Sequence, residues 1–293
     1  MGPLSWGRNR HRPVRAAVFH DPDLQRRYER DGYVTVQLLD DEALDAVRAV
    51  RHDNGDAPGD PRTGLFNDTW STDRSYKRRV SSALHEHLDG PVDELLVDHR
   101  ILGFVHIVKW PGESGRVPAH RDPTFVDEQH HRSVAIWCAL EDLGPADGPL
   151  RVVPGSHLLD SGVRVHQAEH NLYPHVDEHA DELSVPVPLS AGEAIVYDHR
   201  LIHLSDATER EHERTVIAGI MAPRDAEAVY SMNGPDGAVT VAIGPDFFLD
   251  HQLDALDVDE VLASTRRTAP EPGAVPDISL RQLRSLQRRR RRT

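Results

Sequence analysis

The chain has 293 residues and a mass of 32.8 kDa, with 38% hydrophobic and 28% charged residues, so a core of domain size can form and global disorder is excluded. Thirty-four Lys and Arg against 48 Asp and Glu give a net charge of −14, which argues against a general nucleic-acid binder. The last thirteen residues carry seven Arg and no acid, so the −14 of the whole becomes −21 over residues 1–280. Only Lys77 and Lys109 are lysines, a bias that suggests a GC-rich bacterial genome. Cys138 is the single cysteine, which rules out an internal disulfide and CxxC-type sites. No apolar run approaches the length of about 18 residues needed to cross a bilayer. The start, MGPLSWGRNRHRPVR, is basic but has no apolar stretch of a secretory signal, so a soluble cytoplasmic protein is expected. Nineteen histidines point towards metal chemistry.

In chain order, residues 1–18 read as a disordered basic arm. Helical patterning runs from about Asp21 to Arg30, and "DGYVTVQLL" reads as a turn entering a strand. "DDEALDAVRAVR" is a helix with an acidic start and apolar positions Leu44, Val47 and Val50. Residues 52–75 read as a long loop, and a further helix is expected near 77–98. From Ile101 the texture becomes β-rich: "ILGFVHIVKW", "RSVAIWCAL", "PLRVVPG", "EAIVYDH" and "RTVIAGIM", interrupted by a polar, His-rich stretch at 157–184. Short strands so punctuated indicate an antiparallel sandwich or barrel. A last helix is placed within 250–264, followed by a Pro-rich linker and a disordered Arg-rich tail over 265–293. The expected division is one domain over 19–264, with a helical part at 19–100 and a β core at 101–222. The segment from about Pro270 onward is expected to be dispensable.

Two strings carry chemistry. In "PAHRDPTF", His120 and Asp122 are two residues apart, and on an extended segment such positions point to the same side. In "GEAIVYDHRLIHLSDATEREHERTVIAGIM", His203 ends one apolar run and Arg214 starts another, with polar turn-like residues between. If the two runs pair antiparallel, His203 and Arg214 lie on neighbouring strands. Two His and one carboxylate with open positions suit non-heme Fe(II). A guanidinium beside them fits the far carboxylate of 2-oxoglutarate, which it binds through two parallel hydrogen bonds. His199 is the rival of His203 as second histidine, and only the eleven-residue interval to Arg214 prefers His203.

These strings, with "YERDGYVTV" near the start and "DGPLRVVPGSH" between the metal motifs, resemble the phytanoyl-CoA dioxygenase family of Fe(II)/2-oxoglutarate-dependent oxygenases, over about Leu24 to Met221. The resemblance implies a mainly β fold with flanking helices around a double-stranded β-helix, a cupin-like jelly roll. It implies His120, Asp122 and His203 as iron ligands and catalytic centre, Arg214 as the 2-oxoglutarate anchor, and Lys109, Trp137 and Ser205 near that cosubstrate. Fe(II), 2-oxoglutarate and O₂ are the implied cofactor and cosubstrates. Family members that halogenate have a small residue at the carboxylate position, so Asp122 favours hydroxylation. Many members have an aromatic residue where this chain has Ala119, which suggests a different pocket wall.

The activity so implied is hydroxylation of a small molecule, releasing succinate and CO₂, in bacterial secondary metabolism. Desaturation, epoxidation or ring formation, a zinc-dependent hydrolase with the same ligands, and a non-catalytic jelly-roll binding module stay open as alternatives. Each residue also has a plainer reading: Lys109 as a snorkelling strand-end lysine, Trp137 as a core aromatic, Ser205 as a turn former. His157 reads as structural, and His166, His170, His175 and His179 as a solvated loop without metal-site spacing. Arg121, Arg132 and Arg164 are candidates to meet an anionic substrate. The substrate pocket is expected from residues 53–75, Thr124 to Arg132 and 157–184. Nucleic acid and membrane are not expected partners, and the oligomeric state is open.

Overall fold

Two antiparallel sheets face each other because the strands alternate apolar side chains towards a shared interior. The computed structural model describes residues 16–159, 162–166, 173–234, 237–268 and 278–290. The first part runs α1 (Pro22–Asp31), β1 (Tyr33–Gln37), α2 (Asp41–Asn54), β2 (Leu65–Asn67), α3 (Arg74–Leu95) and β3 (His99–Lys109). Then follow β4 (Val117–His120), β5 (Val134–Ala139), β6 (Leu150–Val152), α4 (Pro174–Asp177), α5 (Ala180–Leu183) and β7 (Val185–Val187). The rest is β8 (Glu193–Asp198), β9 (His203–Ser205), β10 (Arg214–Pro223), β11 (Val229–Gly234), β12 (Gly237–Ala242), α6 (Phe247–Asp250), α7 (Val258–Ser264) and α8 (Leu280–Arg290).

The larger sheet has the order β1-β8-β5-β10-β3-β2, the smaller β4-β9-β6-β7, and β11-β12 form a hairpin. This is the expected jelly roll, with helices on one flank. The core extends beyond residues 101–222: β1 and β2 join the large sheet from the part expected to be helical, and the β11–β12 hairpin follows β10. Strand β5 is buried at every position because both of its faces are covered, which explains its unbroken apolar run. Ala135, Trp137, Ile195, Tyr197 and Val216 face Leu150, Val152 and Val187 between the sheets. On the outer face, Val34, Ile136, Val196 and Ile217 pack against Tyr28, Val47, Leu84 and Leu88 of the helices.

Helix α1 is tied to the sandwich at a glycine. Asp21 caps its first turn, accepting from the backbone N–H of Asp23 and Leu24, and Pro22 takes a position where no N–H is needed. Gly32 ends it in the left-handed region (φ 85°), which reverses the chain into β1. A Cβ there would lie 2.4 Å from His157 Nδ1, so the ring closes on the space a side chain would need. His157 is thus structural, as expected: its Nε2 lies 3.2 Å from the Glu29 carbonyl.

The basic end departs from expectation. Residues 1–15 and 269–277 lie outside the described residues, and with them most of the expected arm and linker. Residues 280–290, expected to be disordered, form helix α8. Its Leu283 is fully buried, and with Ile278 it joins Ala119, Ile202 and Leu204 beneath the small sheet. Arg284 pairs with Glu182 at 2.6 Å, Gln287 donates to the Leu183 carbonyl, and Arg290 bridges to Asp31. Mutual Arg repulsion is offset by these acidic partners, and leucines spaced three apart give the helix an apolar face to bury. The end is therefore part of the packed body. Leu283→Ala is expected to lower unfolding free energy by about 2–5 kcal/mol, with Arg288→Ala on the exposed face within about 0.5 kcal/mol of wild type, both read by denaturant melts.

Candidate active site

Strands β4 and β9 pair with His120 opposite His203, and Asp122 follows where the chain leaves β4. His120 Nδ1 lies 2.8 Å from the Pro118 carbonyl and His203 Nδ1 lies 3.0 Å from that of Leu201. A carbonyl can only accept, so Nδ1 carries the proton in both rings and Nε2 is left with its lone pair. The two Nε2 atoms stand 3.8 and 3.7 Å from Asp122 Oδ1. Among the described residues this is the one group of His, Cys, Asp and Glu whose ligand atoms all lie close together, within 4.8 Å. Burial, and then the neighbouring His203, push His120 down to about 4, which keeps it neutral as a metal ligand must be. Burial works to raise Asp122, but its surroundings, with His203 foremost, outweigh it and hold the carboxylate below its ordinary value. The donor set fits a divalent iron ion with positions left open to a cavity of about 500 Å³.

The other expected residues come together on the facing sheet. Arg214 begins β10 directly opposite Lys109, the last residue of β3, and Ala218 pairs with Trp137 on β5. The Arg214 guanidinium lies 5.0 Å from the Trp137 ring centre. Lys109 Nζ donates to Ser205 Oγ and to the Asp206 carbonyl, each at 2.6 Å, joining the two sheets. Burial, then the charge of Arg214, lower Lys109 to about 6. Burial and the nearby Arg210 bring Arg214 down to about 10. Arg214 is 1% exposed, and its Nε and Nη1 have no hydrogen-bond partner among the described residues. A buried guanidinium with two unmet donors beside Lys109 makes a receptor for an anion, and the carboxylate of 2-oxoglutarate fits it.

Several expectations are corrected. His203 and Arg214 are not on neighbouring strands: β9 belongs to the small sheet and β10 to the large one, so they face each other across the sandwich. Ala119 does not line the pocket, since its side chain points away from His120 into the layer under α8. Arg164 pairs with Glu128 at 2.6 Å and donates to the Asp122 carbonyl at 2.7 Å, so it braces the metal loop. Arg121 and Arg132 likewise donate to backbone carbonyls, of Ser156 and of Glu128 and His131. His199 stands off the metal group, with Nδ1 on Ser133 Oγ. Only part of the cavity wall comes from the expected loops. Much of it is α3 (Val80, Ser81), β3 (Ile101, Phe104) and Phe248.

Tyr197 is a site residue that the motifs do not mark. Its ring lies 4.8 Å from that of His203 and its hydroxyl lies near Asp122; burial, then the Asp122 charge, raise its pKa well above the usual value. Period-two counting along "EAIVYD" places it inward with Ile195, and that is the signal by which the sequence could reveal it.

Fold and site together define a jelly-roll protein with a His-x-Asp…His group facing a buried Arg–Lys pair. A family profile described as phytanoyl-CoA dioxygenase (PhyH) matches residues 28–216, and the chain belongs to that family. It is similar to phytanoyl-CoA dioxygenase domain-containing protein 1 of Danio rerio, 32% identical over 128 residues, 41% of this chain and 44% of that one. The Mus musculus protein of the same name is 29% identical over 158 residues, 46% of this chain and 54% of that one, so the matches span about half of these relatives. Among solved structures, it is similar in fold to the non-heme alpha ketoglutarate dependent carbocyclase SnoK from nogalamycin biosynthesis (22% identity, 71% of this chain and 86% of that one, TM-score 0.50). The epimerase SnoN, solved with Fe3+, alpha ketoglutarate and nogalamycin RO, shares the fold at 19% identity, 89% of this chain and 96% of that one, TM-score 0.50. No helix among the described residues is long and apolar enough to cross a membrane.

Tyr197→Phe removes the hydroxyl near Asp122. It is expected to weaken Fe(II) binding by about 10–100-fold in anaerobic titration while leaving the fold intact.

Proposed function

We propose that the chain is an Fe(II)/2-oxoglutarate-dependent dioxygenase that hydroxylates a small molecule, with His120, Asp122 and His203 holding iron and Arg214 anchoring the cosubstrate. The observation that carries this reading is the buried Arg214, with unmet donors, on the sheet facing the metal group. When bound, iron and 2-oxoglutarate activate O₂ and supply the oxidant, leaving succinate and CO₂. The chain's own part is placement. Arg214 offers a fork to the far carboxylate, Lys109 a second charge, Ser205 a hydroxyl that fixes Lys109, and Trp137 a flat wall under the guanidinium. Asp122 occupies the position a halide would need, which favours hydroxylation over halogenation. Substrate pose decides between hydroxylation and the desaturation, epoxidation or ring closure that the same oxidant performs. The scarcity of lysine supports a role in bacterial secondary metabolism, and the lone thiol of Cys138 is in keeping with the cytoplasm.

Arg214→Ala should raise the 2-oxoglutarate requirement of succinate formation by the equivalent of about 2–5 kcal/mol, and Arg214→Lys should recover only part, because a point charge does not reproduce the fork. An unchanged requirement in Arg214→Ala would falsify the anchor.

A pH dependence follows from Lys109. In the free protein it loses its proton above about pH 6, whereas a bound carboxylate favours its charged form and raises its pKa. Binding then takes up a proton, so 2-oxoglutarate affinity should fall as pH rises above about 6, by at most about tenfold per unit, and be flat below it. Anaerobic titrations across this range should show the slope in wild type and none in Lys109→Met.

A further inference from the structure

We infer that His199 anchors the substrate: its Nε2–H meets the oxygen acceptor of a neutral, largely apolar molecule held beside the metal group. The inference rests on the iron and 2-oxoglutarate assignment and extends it to the substrate's chemical class. His199 is 1% exposed and lines the same cavity as Asp122. Its Nδ1 lies 2.8 Å from Ser133 Oγ, and its ring packs 4.7 Å from that of Phe125. Among the described residues lining the cavity, His199 Nε2 is the one buried side-chain nitrogen or oxygen without a hydrogen-bond partner. Leaving such an atom unmet is costly, and a ligand that supplies the partner removes that cost.

The tautomer follows from the serine. No other partner of Ser133 Oγ is found among the described residues, so its proton goes to Nδ1 and the ring proton sits on Nε2. Nε2 is thus a donor, and it remains one if the ring is charged. It calls for a carbonyl, ether or hydroxyl oxygen.

The remaining wall indicates what that oxygen is attached to. Ile101, Leu102, Phe104, Phe125, Ile220 and Phe248 supply apolar and aromatic surface. The charged lining groups have partners already. Asp68 takes His106 and Tyr76, Lys77 donates to the His251 carbonyl, Arg78 faces Asp246 and Asp250, and His85 lies 2.7 Å from Asp89. A charged substrate group would find no unpaired counter-ion among these, while an apolar body with one oxygen is matched point for point.

The test uses full-length protein loaded anaerobically with Fe(II) and 2-oxoglutarate, and two probes of nearly equal shape: 1-tetralone, a bicyclic ketone, and tetralin, which lacks the oxygen. The visible charge-transfer band of the Fe(II)–2-oxoglutarate complex is recorded first; its absence in wild type overturns the parent assignment and the anchor with it. With the band present, calorimetry is expected to show the ketone bound about tenfold more tightly than the hydrocarbon. His199→Leu should abolish that preference while keeping the band and the tetralin affinity, and His199→Gln, which retains an N–H, should keep part of it. Ser133→Ala leaves the ring in place but frees its tautomer, and should lower the preference about threefold, giving a second reading if His199→Leu melts early. A wild type that ignores the ketone, or a preference unchanged in both His199→Leu and Ser133→Ala, overturns the anchor while the band leaves the iron site standing.

Discussion

Arg214 and Lys109 sit side by side at the end of the β3–β10 ladder, both essentially out of water, and among the described residues neither forms an ion pair. Two like charges in a low-dielectric interior repel each other, and each has lost its hydration. Burial lowers the pKa of both, helped at Lys109 by the charge of Arg214 and at Arg214 by that of Arg210. Such a pair persists only where the surrounding framework fixes it. Here the framework is the central strand pairing of the large sheet, with β10 held between β3 and β5 over most of its length. The site can be rigid because its least comfortable residues are built into the most constrained part of the fold.

The sandwich then distributes roles between its sheets. The small sheet carries the metal group at the β4–β9 pairing, and the large sheet carries the cations. A direct polar tie runs between them, from Lys109 to Ser205 and the Asp206 carbonyl. Ser205 is two residues beyond His203 and on the same face of β9, so the hydroxyl that steadies Lys109 shares a strand with a proposed metal ligand. A shift of β9 by one residue would turn His203 and Ser205 away together. The register of a three-residue strand therefore sets both the metal geometry and the anchor.

The strands and the short motifs are legible in the sequence because they are local. Short apolar runs mark β3, β5, β8 and β10, and His120-x-Asp122 is set by strand geometry alone. What is not legible depends on partners far along the chain. Proximity of His203 and Arg214 suggests neighbouring strands, but the polar residues after Ser205 cross from one sheet to the other instead of closing a hairpin. Tyr197 looks like any inward strand residue until its ring is found against His203 and its hydroxyl near Asp122. Ala119 illustrates the same limit in reverse. Adjacency to His120 suggests a pocket wall, whereas alternation along β4 sends neighbouring side chains to opposite faces.

Helix α8 shows how net charge along a chain can mislead when read as a property of one segment. The basic end and the acidic body are two halves of one contact. Arg284 lies against Glu182, and Arg290 reaches Asp31 at the α1 terminus and the Arg30 carbonyl. These exposed pairs contribute little by themselves. The burial of Ile278 and Leu283 contributes more, and the charges set where the helix lies. Its resting place is the outer face of the small sheet, against Ala119 and Ile202, the residues immediately before His120 and His203. His120 and His203 thus each follow a residue whose side chain belongs to the same apolar layer as Ile278 and Leu283. The layer lies on the side of β4 and β9 away from the two imidazoles, so α8 completes the packing behind the proposed ligands without entering the site.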